Sequence, residues 1–453
     1  TLSLIGTGTL NSALNLEGTL EAGANLTVSG AISVADNATV SIPNANTTLT
    51  YSGGNLTVEA YTLSLAGAGR FSNSSNSPIV LAVEESVLDL TGSGTITGPV
   101  KLDGEGSTLK ASGSPTISGN ITQSDNATIE VVSNQTLSYS GASLNLGANK
   151  LSLTGGGTLS NSNTLVLNNA DSLLSLEGIG TIGVVRATVN ANSGKGIQAV
   201  ESATLGSFEL AATSFLDIAA SKTINGPIKL QNNGDLTIKG SGEYLGNLEL
   251  AGGKFRVDSN RGLTGTVSIT ANSEIIVPQS YSLVLNQTGT LPLGGRTLSS
   301  SGAGKLKFEK VINVSGGELE VSSGTLHFVS GGSGGSTVSE LALEGATLVL
   351  NGNLSIGGKL KTSGDDPTLQ LNGNSLDLSG TNVQLELGTG LVLDGVLTGT
   401  NTELLLTEDS TISRASPFTL GSINLQNKAL TLGSATSDMT VTGAVTFDSP
   451  SSQ

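Results

Sequence analysis

Cysteine and tryptophan are absent from this 453-residue chain, histidine and methionine occur once each, and aromatic residues make up only 3%. Without cysteine there is no disulfide framework and no thiolate metal site. The compartment stays open on that ground, because many exported proteins dispense with thiols. So few aromatics exclude a wide globular core and favour a narrow interior filled by Leu, Val, Ile and Ala. Basic residues are also scarce, with Lys+Arg at 20 against Asp+Glu at 36 and a formal net charge of −16. Phosphate binding needs a basic stripe and none is visible, so nucleic acid is not expected as a partner. The acidic surplus favours solubility and discourages lateral clumping, while divalent cations could still bridge neighbours. No apolar run approaches the roughly 18 residues of a spanning helix, so membrane insertion is not expected. The chain opens at Thr1 with neither Met nor a signal-like apolar segment. It reads as a processed or trimmed product whose export signal has gone.

What the chain has in abundance is glycine, 62 residues of it, and a short alternating rhythm. Residues 128–159 give Ile129 and Val131, then Leu137 and Tyr139, then Leu144 and Leu146, then Leu151 and Leu153. Each pair is flanked by Ser, Thr, Asn or Gly. Alternation over so few residues fits a strand with one buried face, whereas a helix needs apolar residues three and four apart. The pairs restart every seven or eight residues or so, making about 22 residues for three corners. That is one coil of a parallel β-solenoid.

The same text recurs along the chain. Residues 39–71 nearly repeat this line about 88 residues earlier, and residues 274–306 are a worn copy about 147 residues later. The phrase from Thr95 to Leu102 returns from Thr223 to Leu230 at an offset of about 128. Each offset is close to a whole number of coils of about 21–22 residues. Separate globular domains would repeat at one domain-sized offset. The expected fold is therefore all-β, a single parallel β-solenoid of about 21 coils with three short strands per coil. The coil should be right-handed, since crossovers between parallel strands are. Three glycines per coil, about one per corner, suit a triangular section.

Taken in order, the expected layout is solenoid over 1–330, a Gly/Ser loop or linker at 331–336, more solenoid over 337–447, and a polar tail at 448–453. The N-terminal end carries no visible cap, and a bare end is an open sheet edge, so either the chain is cut from a longer solenoid or subunits dock end to end. Thr1, Leu2, Ser3 and Leu4 at one end and Val441, Val445 and Phe447 at the other are candidates for an end-to-end assembly edge. Residues 195–261 are the most charge-dense part. Within them Lys229, Lys239, Tyr244, Lys254, Arg256 and Arg261 form a candidate lateral surface, against the simpler reading of outward charges on a few coils.

Motifs that carry chemistry are thin. His327 alternates with Leu326 and Phe328 and should face solvent on a strand. Glu84-Glu85, Asp365-Asp366 and Glu408-Asp409 are adjacent acids, which point to opposite faces of a strand or sit solvated at a corner. Polysaccharide-active solenoids instead cluster acids and bases on neighbouring coils beside stacking aromatics. The nine-residue calcium pattern of β-rolls is missing, and no helical period follows Gly155-Gly156-Gly157 or residues 331–335, so these are corners and not phosphate loops. The many Asn-x-Ser/Thr sequons match their composition and say little about glycosylation. Threonine ladders of the ice-binding kind are not expected, because Thr7-Gly8-Thr9 and Thr48-Leu49-Thr50 do not recur at coil spacing. No catalytic, cofactor-binding or metal-binding residue is assigned.

Phrases such as Leu63-Ser64-Leu65-Ala66-Gly67-Ala68-Gly69 and Leu151-Ser152-Leu153-Thr154-Gly155-Gly156-Gly157-Thr158-Leu159 resemble the passenger regions of bacterial β-helix surface proteins, both filamentous-haemagglutinin-like and autotransporter adhesins. The resemblance is one of architecture and covers the whole chain. It implies export to the cell surface or medium and carries over no catalytic residues. The expected function is a non-enzymatic extracellular structural protein, a subunit of a filament, sheath or stalk that partners itself through its ends. An adhesin segment binding glycans or cell surfaces through loops is the alternative, and a polysaccharide-active enzyme comes third.

Overall fold

The computed structural model describes residues 1–453 other than 75, 193, 330–334, 366, 415–416, 434–438 and 448–453. Among the described residues there is no helix, and the strands stack in parallel as a β-solenoid. The chain falls into two compact units, Thr1–Ile228 and Lys229–Gln453.

In the first unit each coil contributes up to three short strands. Leu2–Leu4, Thr19–Ala22, Ala38–Ile42 and Thr62–Gly67 begin the first face. Gly8–Leu10, Leu26–Val28 and Thr48–Tyr51 begin the second, and Leu14–Leu16, Ile32–Val34 and Leu56–Val58 the third. Every second side chain points inward and meets its equivalent on the next coil. On the first face Leu20 stacks on Val40, Val40 on Leu65 and Leu65 on Leu90, all buried. Fully burying such a side chain contributes about 1.5–3 kcal/mol, which is why a slim axis of aliphatics suffices without tryptophan. Coil length is not constant, and side chains bonded across neighbouring coils lie from 18 to 27 residues apart.

Asparagine holds the corners. Where the chain leaves one face and starts the next, the ladder is interrupted and the first N–H of a strand needs an acceptor. The Asn25 side-chain oxygen accepts from the Thr48 N–H at 2.8 Å, Asn37 from Thr62 at 2.8 Å and Asn126 from Lys150 at 2.6 Å. In the second unit Asn260 serves Ser282 at 2.8 Å and Asn272 serves Thr297 at 3.0 Å. The repeated text has a structural counterpart. Tyr51 and Tyr139 both lie inside, and their hydroxyls accept from the Ile32 and Ile121 N–H groups at 3.3 and 3.2 Å. Each is followed one coil later by an asparagine in the same column, Asn73 and Asn161.

The second unit departs from three short strands per coil. Ile312–Val321, Ser336–Glu344, Leu354–Ser363, Thr368–Asp377 and the 17-residue Gly390–Leu406 run round corners without leaving the sheet. They bend at shifts of register, between Val314 and Glu318, Val338 and Glu340, Gln370 and Ser375, and Gly399 and Glu403. A bulge redirects a strand while keeping its ladder on both sides, so such a corner costs little pairing. Inside, Phe308 stacks on Phe328 of the next coil, with ring centroids 5.1 Å apart.

Of the Gly/Ser stretch, residues 331–334 lie outside the described residues, as does the tail from 448. Ser336 already begins a strand and is buried.

Candidate functional site

Outward side chains form columns because parallel register repeats each position about every 4.8 Å from coil to coil. Charge is organised in these columns. On the first face of the first unit Asp89, Lys110 and Glu130 occupy consecutive rungs, with Lys110 and Glu130 3.0 Å apart. In the second unit Asp235, Lys254, Glu274, Ser299 and Glu320 make one column, in which Lys254 meets Glu274 at 2.9 Å. Lys359 pairs with Glu386 at 2.5 Å, and Lys361 reaches Glu318 at 2.8 Å.

The pKa directions follow from these rungs. Burial pushes the Glu177 carboxyl up, but hydrogen bonds from Lys150, Ser175 and Ser152 and the Lys150 charge outweigh it and hold it below the usual range. Glu274 is likewise held low against its burial, by Ser301 and Lys254. Lys361 is raised by its hydrogen bond to Glu318. Half-exposed pairs of this kind are worth about 0–1 kcal/mol each, so they set register and solubility more than stability. These carboxylates are spent on neighbouring rungs. Among the described residues no group of three or more His, Asp or Glu stands close enough to hold a metal ion.

The single histidine sits in such a column. His327 lies between Lys307 on the preceding coil and Val349 on the next, and is half-buried rather than fully solvent-facing. Burial lowers its pKa from the ordinary 6.5, Lys307 and Lys305 lower it further, and a hydrogen bond with Asn351 and the charge of Glu309 oppose them. The folded state therefore resists protonation more than the unfolded chain does. Stability is unaffected by this group above pH 6.5 and falls as pH drops from there through the lowered folded value. Melting His327→Gln beside the parent at pH 7.5 and pH 5 should show a shallower loss in the variant. Equal losses would remove His327 as a source of acid sensitivity.

The adjacent acids lie as solvated corners. Glu84 and Glu85 are both exposed, as are Glu408 and Asp409, and Asp409 accepts the Ala429 N–H at 2.8 Å. Asp365 is exposed, and Asp366 is outside the described residues.

The residues expected to form a lateral surface separate into two groups. Lys229, Lys239, Lys254 and Arg256 lie on outward or partly exposed positions, with Lys229 2.9 Å from Glu249. Tyr244 and Arg261 do not belong with them. Tyr244 is 0% exposed, its ring in the core and its hydroxyl donating to the Asn247 carbonyl at 2.6 Å. Arg261 is 6% exposed and shares an inward column with Leu283. Of the edge residues, Thr1 and Ser3 are exposed, Leu2 is 45% exposed and Leu4 is partly covered. Val441 is partly covered, while Val445 and Phe447 are 45% and 66% exposed.

What sequence reading missed is a column of hydroxyls. On the second face of the first unit Thr9, Thr27, Thr50 and Ser72 stack rung on rung, and the Thr97 hydroxyl donates to Ser72 Oγ at 3.1 Å. One position along runs Thr48, Arg70, Thr95, Thr116, Ser138 and Ser160. Beside it Thr136, Thr158, Thr181 and Thr204 continue the array. Within the array Thr-x-Thr falls on separate rungs, as at Thr48/Thr50 and Thr95/Thr97 with Arg70 and Ser72 between them, so these are mixed Thr and Ser columns and not regular Thr-x-Thr ladders. They do not recur at one spacing because the coils differ in length.

Comparison of the chain with protein-family models, curated proteins and solved structures finds no match.

Proposed function

We propose that this chain is a non-enzymatic structural subunit of a bacterial surface filament, sheath or stalk, related in role to filamentous-haemagglutinin-like and autotransporter β-helix proteins, and joined to further copies of itself through its end coils. One observation carries the reading. Each inward side chain is covered by its equivalents on the coils above and below, as Leu20 is by Leu2 and Val40, so cohesion along the axis comes from coil stacking, the same contact that would join copy to copy. An uncovered rung combines an open ladder edge with apolar side chains that the next coil would bury. The pairing of carboxylates along the columns agrees with a scaffold more than with an acid–base centre.

Sedimentation and negative-stain microscopy over a range of concentrations test the proposal. Particles that lengthen with concentration are expected, and Leu2→Lys with Ile5→Lys should abolish that growth. A monomer at every concentration, including millimolar, would sink end-to-end assembly.

A further inference from the structure

We propose that the second face of the Thr1–Ile228 unit binds ice, its ordered hydroxyls and methyls seating a layer of water that continues into the crystal. Two repeats define the face. Rungs follow one another at about 4.8 Å up the stack, and outward positions on one strand lie about 6.6 Å apart, two residues at about 3.3 Å each. Thr95 and Thr97 occupy one rung as such a pair, and Thr48 with Thr50 another. A two-dimensional grid of this size is close to the oxygen repeats of hexagonal ice. Threonine suits it because a β-branched side chain is stiff at χ1, so hydroxyl and methyl keep their places without an entropy cost on docking.

The distribution of charge supports the same partner. The chain carries 56 charged residues by composition, 20 basic and 36 acidic. The first face of this unit takes Glu21, Asp89, Lys110 and Glu130 into its columns. The three hydroxyl columns of the second face take only Arg70. Charges hold their own hydration shells and disturb a water lattice, so their near-exclusion from one face is what an ice surface requires. A neutral sugar polymer would be better served by stacking aromatics, but the rings carried by the second-face strands Thr48–Tyr51, Arg70–Asn73 and Thr136–Tyr139 (Tyr51, Phe71 and Tyr139) are turned inward.

The test uses the full chain, slowly frozen as a rotating ice shell, with enrichment in the ice measured against a co-dissolved control protein. Enrichment and faceted crystal growth are expected for the parent. Thr95→Lys with Thr158→Lys should cut partitioning by about tenfold, the effect of losing some 1.4 kcal/mol of docking energy. Thr128→Lys, a change of the same kind on the first face, should leave it intact. The two single changes serve if the double variant melts early. No enrichment of the parent, equal enrichment of the parent and the face variants, or retention on crystalline cellulose without enrichment in ice would each overturn the inference. The reading is independent of end-to-end assembly, since a strictly monomeric chain would still be drawn into ice.

Discussion

Replacing Gly119 by alanine is expected to cost about 4 kcal/mol or more, a loss in the exceptional range, because it forces backbone apart. At one corner of the first unit Gly98, Gly119 and Gly141 lie on successive coils with their backbones in contact. A Cβ on Gly119 would stand 1.8 Å from the Gly98 carbonyl oxygen and 2.2 Å from its carbon. A Cβ on Gly141 would stand 2.3 Å from the Gly119 oxygen. No side chain can rotate aside, because the obstructing atoms belong to the ladder. The coils would have to separate there, breaking the bonds on either side. Gly18→Ala is the control, since a Cβ there meets nothing within 4 Å. Removing glycine entropy at an open site is neutral or stabilising by about 0.4–1 kcal/mol. Urea denaturation of both variants checks this. A Gly119→Ala midpoint equal to that of the parent would mean the corner is far softer than its packing implies.

The contrast shows what a sequence can reveal about this architecture. Alternation at period two announced the strands, since each inward pair such as Leu151 and Leu153 is a local fact. Glycine and asparagine announced the corners for the same reason. Which residue stacks on which is not local. It depends on every insertion between two coils, and with partners 18 to 27 residues apart no single offset finds them. Lys254 gives no hint of Glu274, nor Thr50 of Ser72, until the register is known. The long bent strands of the second unit were hidden for a related reason. Gly316-Gly317 reads as a break, yet the strand Ile312–Val321 passes through it.

Two misplaced residues did leave a local signal. Tyr244 precedes the Asn247 carbonyl by three residues, as Tyr139 precedes that of Ala142, and both hydroxyls bond there. Arg261 alternates with Leu263 across Gly262, and that period places it inward, where charge alone suggested the surface.

Arg261→Ala should therefore behave as a core mutation, not a surface one. Its guanidinium donates to the carbonyls of Gly242 at 2.6 Å, Gly240 at 2.9 Å and Lys239 at 3.3 Å, and to Ser259 Oγ at 3.2 Å. These acceptors lie where the chain turns between Asp235–Gly240 and Glu243–Tyr244 and just before Arg261 itself. Truncation strips the donor from several carbonyls at once and leaves a void, at a cost of about 3–5 kcal/mol. Lysine cannot reproduce the planar fork and should recover only part of the loss. Methionine restores volume without donors, so comparing Arg261→Met with Arg261→Ala separates packing from hydrogen bonding. Chemical denaturation of the three variants gives the order expected, parent above Lys, Lys above Met, Met above Ala. Alanine within about 0.5 kcal/mol of the parent would place Arg261 among ordinary surface substitutions and remove it from the core.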